Sequence, residues 1–485
     1  MPSPAARLAN DAQTGSPKPP ARLATHHTRQ AATLAAALLA VLIVATRYGR
    51  TYYFYDEWSM LNRVLSTRAD VLNGATLGYN GHLYVICYLV YKAQLALGLS
   101  NHALIWAVFC ASLVALTVAT AHVLHAAGVP TLPALAAGVL ITYFGPGAQL
   151  MTFEFQFTMN AALACSLFAG AAMFTISNRR RSALLISLLL LLAVLFDSAT
   201  AFAGGIFVTM LVLLRWHDRW AILALAPAAI VGAVFSIASQ NALLTTPATL
   251  AERATFALHL VLLSLGAIAG GEQLAGACML LVLATALITR LRRYPLPRPT
   301  RDLVLAASVS ALAMVGITAW SRAGLVKGDF FDFNRYIALV AVYCILAVVP
   351  IALQLLSSFP SIRTPTASAL LTLLLAVVFI LNAQPLTRYR STIEAWMAQT
   401  RALLTEATWT MSTRCPQPTH LDPGAAPLGS VGPQVSVALL HRLEQYGALT
   451  PPSRPPVEPA FVTHAQWRAA ADVCRGPTSP PRPNK

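Results

Sequence analysis

Long apolar runs dominate this chain and leave one kind of fold open to it. A transmembrane helix needs about 17 to 25 mainly apolar residues. Such runs recur near 30–46, 103–125, 133–147, 156–176, 183–197, 200–214, 220–237, 273–289, 303–320, 336–357 and 366–382. Two further stretches, 83–99 and 254–271, are ambiguous: the first carries Lys92 and Gln94, the second carries His259 and ends in Gly270-Gly271-Glu272. Only 11% of the 485 residues are charged, against about 25% in soluble proteins. A string of soluble domains is therefore excluded. The predicted fold is all-α, a polytopic membrane helix bundle of about eleven spans and at most thirteen.

The formal charge of +16 could by itself suggest a nucleic-acid partner, but the positions of the charges argue against one. Lys and Arg in short loops stay on the cytoplasmic side. With 83–99 and 254–271 treated as non-spanning helices at the outer face, the inside segments hold Arg7, Lys18, Arg22, Arg29, Arg179–Arg181, Arg215, Arg219, Arg290, Arg292, Arg293, Arg298, Arg301 and Arg363. Against these stand only Asp11, Asp218 and Asp302. The excess of positive charge thus reads as an orientation signal. It predicts a multi-pass plasma-membrane protein with a cytoplasmic amino terminus and an extracytoplasmic carboxyl terminus.

Three regions follow: a disordered cytoplasmic tail over 1–29, a transmembrane domain over 30–383, and a small, irregular, proline-rich extracytoplasmic region over 384–485. The first apolar run lacks a small-residue cleavage pattern and is expected to stay as a span. Residues 416–485 hold 14 prolines, while 391–409 keeps Ile393, Trp396, Leu403 and Leu404 at helical spacing. Cys415 and Cys474 are the two cysteines of the outer region, on the oxidising side of the membrane, and are expected to form a disulfide. The other five fall within apolar stretches.

No nucleotide-binding, zinc-protease or nucleophile-elbow motif occurs in a usable context. Polar residues instead collect in the segments expected outside. Tyr55-Asp56-Glu57-Trp58 follows the first span, and neighbours on a helix do not share a face, so Asp56 and Glu57 are expected to do different jobs. A simpler reading has Asp56 capping an amphipathic helix. Asn80-Gly81-His82 is a turn signal with a histidine that could be merely exposed. Phe153-Glu154-Phe155-Gln156 places an acid among aromatics at the head of a span, as a substrate contact or an interfacial belt. Arg322, Lys327 and Arg335 with Tyr336 put three cations where the orientation rule should have removed them. They suit a phosphate at the membrane surface, or pairing with Asp329 or Asp332.

An acidic pair in the first outer loop, about eleven or more spans and an extracytoplasmic carboxyl-terminal region together resemble the GT-C class of polytopic membrane glycosyltransferases. The Asp56-Glu57, Asn80-Gly81-His82 and Glu154 motifs, in this order and on one side, narrow the likeness. They are most like an actinobacterial group with an aromatic-Asp-Glu-Trp first outer loop. The resemblance covers most of 30–383. It implies transfer of a sugar from a polyprenyl-phosphate donor to an acceptor on the outer face, an envelope (cell-wall) glycan or protein. By position Asp56 would be the catalytic base, with Glu57 supporting it or binding a metal. His82, Glu154, Arg322, Lys327, Arg335 and Tyr336 would contact substrate. Some members of the class use a divalent cation such as Mg or Mn; no second acid pair completes such a site here. Competing readings are a transporter or flippase of a lipid-linked intermediate, which needs polar groups near the midplane, and a GT-C-like scaffold without activity.

Overall fold

A computed structural model describes residues 35, 53, 56–67, 70–76, 82–98, 102–142, 147, 152–216, 219–238, 247–268, 273–289, 295–325, 334–415, 425, 427–428, 435–449 and 451–474. Every regular element among them is helical, with no strand. In order they are α1 (Asp56–Ser66), α2 (Val71–Thr76), α3 (Val85–Leu97), α4 (Ala103–Ala126), α5 (Thr131–Thr142) and a 3₁₀ turn (Glu154–Gln156) leading into α6 (Phe157–Thr175). There follow α7 (Arg179–Phe196), α8 (Ser198–Arg215), α9 (Arg219–Ala238), α10 (Leu250–Ile268), α11 (Gln273–Thr289) and α12 (Arg298–Arg322). The chain ends in α13 (Asn334–Ser357), α14 (Thr364–Arg414), α15 (Val437–Gln445) and α16 (His464–Ala471).

Seven of these helices are long and apolar enough to cross a membrane: α4, α6 with its leading turn, α8, α10, α12, α13 and α14. Large apolar side chains such as Leu188, Ile222, Leu281, Leu312 and Ile380 are exposed on the bundle surface. In water so much bare apolar surface would drive association; against lipid tails it is at rest. The expected first span, 30–46, lies outside the described residues apart from Ala35. Of the expected span 133–147, α5 is the described part, with 12 residues, and 143–146 lie outside the described residues. Stretch 83–99, expected not to span, forms the 13-residue α3. Stretch 254–271 was expected to be non-spanning too, yet α10 has the length and apolarity to cross.

The bundle has two chemically different ends. At one, α7 opens on Arg179-Arg180-Arg181 and α12 on Arg298, and α8 ends on Arg215. Arg215 pairs at 3.6 Å with the buried Asp302, and its guanidinium lies 4.7 Å from the Phe174 ring centre at the end of α6. The Thr300 hydroxyl donates to the Ala127 carbonyl just past α4. At the other end lie the start of α4, the head of α6, the α7–α8 junction, the end of α12 and the start of α13. Small residues set the close approaches that this packing needs. A Cβ on Gly138 of α5 would fall 2.6 Å from the Thr117 carbonyl oxygen of α4, and one on Gly276 of α11 would collide with the Leu262 carbonyl of α10.

The change of composition near 384 falls inside α14, which runs unbroken for 51 residues. At 1.5 Å per residue it is about 76 Å long, more than twice the thickness of a hydrocarbon core. Its exposed apolar side chains stop at Leu381, so its second half projects beyond the bundle. There it carries the tail. The Gln399 side chain donates to the Phe461 carbonyl, and Arg442 of α15 donates to Asn62 of α1. Cys415 and Cys474 are disulfide-bonded, with Cα atoms 5.7 Å apart.

This bond closes a loop of 59 residues. Chain entropy alone assigns it about 4 kcal/mol of stabilisation of the tail. Cys415→Ser is accordingly expected to expose the tail to limited proteolysis while the helices of the bundle stay resistant. Identical cleavage patterns with and without reductant would refute this.

Candidate functional site

α1 begins with the two acids, and its helical twist of about 100° per residue sends them apart. Glu57 turns inward with Trp58, Met60, Leu61 and Val64 and is fully buried. Its Oε1 accepts a hydrogen bond from the Tyr91 hydroxyl of α3 at 2.6 Å and lies 3.1 Å from Nε2 of His102, the residue before α4. The Tyr53 ring packs edge-on against His102, with centres 4.6 Å apart. Glu57 therefore ties together α1, α3 and α4. It is a wall of the site, sealed from any substrate that approaches through solvent.

Asp56 keeps 21% of its side chain exposed and faces Arg335 across 4.0 Å, with Arg335 itself 22% exposed. The Arg335 guanidinium lies 5.3 Å from the ring centre of the buried Tyr336. Ion pairs this open contribute only about 0–1 kcal/mol, so the pair does little for stability. What it supplies is a carboxylate and a guanidinium held side by side, both still within reach of a ligand.

His82 joins them rather than standing free in solvent. Its ring lies 5.8 Å from that of Tyr84, and Asp56, Asp197, Arg322 and Arg335 are its charged neighbours. Asp197 caps α8 by accepting from the Ala199 amide and the Thr200 hydroxyl, and the next residue, Ser198, accepts from the Leu83 amide at 2.9 Å. That bond fixes the segment bearing His82 against the α7–α8 junction. Burial pushes the imidazole below its ordinary value, Arg322 and Arg335 push the same way, and Asp197 and Asp56 oppose them. His82 is thus neutral at pH 7. Burial also raises the phenol of Tyr84 well above its usual range.

A lowered histidine pKa means that the unfolded chain takes up a proton first as pH falls. Stability conferred by neutral His82 should be full above about pH 6.5 and decline below it, until the folded-state pKa is passed. His82→Gln should flatten this part of the pH profile of thermal unfolding. An unchanged slope in the variant would contradict the assignment.

Glu154 and Gln156 occupy the turn that heads α6, and both are buried. Neither oxygen of Glu154 and neither amide atom of Gln156 has a hydrogen-bond partner in another residue among the described residues. Glu57, Arg390 and Glu394 are the charged neighbours of Glu154. Each orphaned buried polar group costs about 1–3 kcal/mol.

The structure thus gathers Asp56, Glu57, His82, Glu154, Arg322, Arg335 and Tyr336 at one end of the bundle. Lys327, Asn80, Gly81, Asp329 and Asp332 lie outside the described residues. Sequence reading missed Tyr91, His102 and Arg390. Tyr91 and His102 stand 34 and 45 residues from Glu57, so no spacing rule links them. Among the described residues no three His, Cys, Asp or Glu side chains come together to hold a metal ion. The nearest second acid, Glu57, is committed to Tyr91 and His102. The described residues alone form no divalent-cation site. Comparison of the chain with family models, with characterised proteins and with solved structures gave no match.

Proposed function

We propose that this chain is a plasma-membrane glycosyltransferase of GT-C type, moving a sugar from a polyprenyl-phosphate donor to an envelope glycan or protein on the outer face. One observation carries the reading: Asp56 and Arg335, part-exposed and 4.0 Å apart, lie at the end of the bundle opposite its arginine cluster. The positive-inside rule then makes the arginine-rich end cytoplasmic and the site end outer. The same rule puts the projecting half of α14 and the disulfide-bonded tail outside, where disulfides persist.

The chemistry asks little of the protein beyond this pair. As the acceptor hydroxyl oxygen attacks the anomeric carbon, Asp56 takes its proton. The bond from that carbon to the phosphate oxygen breaks, and its electron pair leaves with the lipid phosphate. Arg335, with Arg322 beside neutral His82, stabilises the charge that develops there. Glu57, held by Tyr91 and His102, keeps α1 turned so that Asp56 meets Arg335.

Arg335→Gln tests the reading. A charge-assisted bond contributes about 1.5–3 kcal/mol, so membranes carrying this variant should bind the labelled donor about ten- to a hundredfold more weakly. Unchanged donor binding and transfer would end the proposal. Energised translocation of intact donor without sugar transfer would favour a flippase instead.

A further inference from the structure

Glu154 and Gln156 present four buried side-chain polar atoms that no other described residue satisfies. Buried polar groups in native proteins are almost always bonded. Four such atoms within one turn of chain, with no bond from another described residue, make this turn a candidate place for a ligand.

The surroundings specify its chemistry. Phe155, between the two, lies 5.9 Å from Phe153, 5.7 Å from Tyr84 and 6.2 Å from Tyr91, measured between ring centres. Among the described residues, Glu57 and Glu394 bring negative charge to Glu154 and Arg390 brings positive charge. An anion would meet more acids than bases here. A neutral ligand rich in hydroxyls would not: its O–H groups donate to the Glu154 carboxyl oxygens, and the Gln156 amide both donates and accepts. The aromatic rings offer flat apolar faces to the C–H side of a sugar ring, in the mixture of apolar wall and few polar groups usual for ligand sites.

We propose that Glu154 and Gln156 form a saccharide subsite; the proposal rests on the glycosyl-transfer reading and divides the site by charge. Phosphate goes to Arg335 and Arg322, and sugar hydroxyls go to the acid and amide at the head of α6. Because these residues are buried, the Phe155 and Phe153 rings must move to admit the sugar, while Tyr91 stays held by Glu57. Gln156 and Phe155 thereby become determinants of which sugar is accepted.

The test uses the full chain in lipid nanodiscs with two separate probes: polyprenyl monophosphate without sugar, and a set of methyl hexosides and pentosides followed by saturation-transfer NMR. Wild type should transfer saturation to the ring protons of at least one glycoside. Gln156→Leu and the isosteric Glu154→Gln should each cut that signal by about tenfold or more, while binding of polyprenyl monophosphate changes by less than about twofold. Competition by a polyprenyl-phosphate sugar against the glycoside assigns the subsite to the donor sugar. Coexistence of the two assigns it to the acceptor, and either result supports the subsite.

Wild-type saturation that survives in both variants, or no glycoside signal at all while polyprenyl monophosphate still binds, overturns the subsite and leaves the transferase reading intact. Glycoside binding without any polyprenyl monophosphate binding does the reverse. Protease resistance of the disulfide-bonded tail reports whether each variant is folded. A rise in thermal stability of Gln156→Leu with unaltered glycoside binding would identify the orphaned atoms as a dry packing defect, again against the proposal.

Discussion

Asp56→Asn should lower sugar transfer by about 10²- to 10⁴-fold, the usual contribution of a general base, without raising KM for the lipid-phosphate donor. Asparagine fills the same volume and still hydrogen-bonds, but it cannot accept the acceptor's proton at neutral pH. The donor side should if anything improve. Arg335 faces Asp56 at 4.0 Å in the wild type, and loss of that carboxylate leaves its charge free for phosphate. A fall in kcat with constant or lower KM is therefore the signature to seek in membranes supplied with labelled donor. Equal turnover by variant and wild type would refute the assigned base, and an inert wild type would favour the scaffold reading.

The adjacent acid should behave in the opposite way. Glu57→Ala removes a buried carboxylate that ties α1 to Tyr91 and His102. Breaking a buried polar pair by deleting one partner costs about 3–5 kcal/mol, a large part of the ~5–15 kcal/mol that holds an ordinary domain together. Thermal unfolding of the purified protein should begin well below that of wild type, with activity lost in parallel. Glu57→Gln keeps the shape and one acceptor, and should retain most of both stability and turnover. If Glu57→Gln were as inactive as Asp56→Asn yet fully stable, Glu57 would have to act on substrate directly, against its complete burial.

The different settings of these two adjacent acids show which kinds of information are readable along the chain. Hydropathy is local, so the apolar runs were visible, as was the sorting of Arg179–Arg181, Arg215 and Arg301 away from Asp56 and Glu154. The cysteine pair was legible as well, because only Cys415 and Cys474 lie beyond the last apolar run. Length was read less well. Stretch 254–271, expected not to span, belongs to a helix able to do so. Average hydropathy does not say where backbone hydrogen bonding stops. The shift in composition near 384 looked like a boundary, yet α14 passes through it, since helix propensity survives the change from lipid-facing to polar side chains.

The sequence by itself determined that the chain is helical and membrane-compatible, that its charges divide between two ends, and that Asp56 and Glu57 begin one helix and so cannot share a face. Only the tertiary structure decided their partners: Arg335 for Asp56, Tyr91 and His102 for Glu57, and, among the described residues, none from another residue for Glu154. The reason is physical. A helix's apolar face and twist follow from residues a few positions apart, whereas polar pairing depends on which helices pack side by side. That packing is set by contacts between small residues and by side-chain fit across the whole bundle.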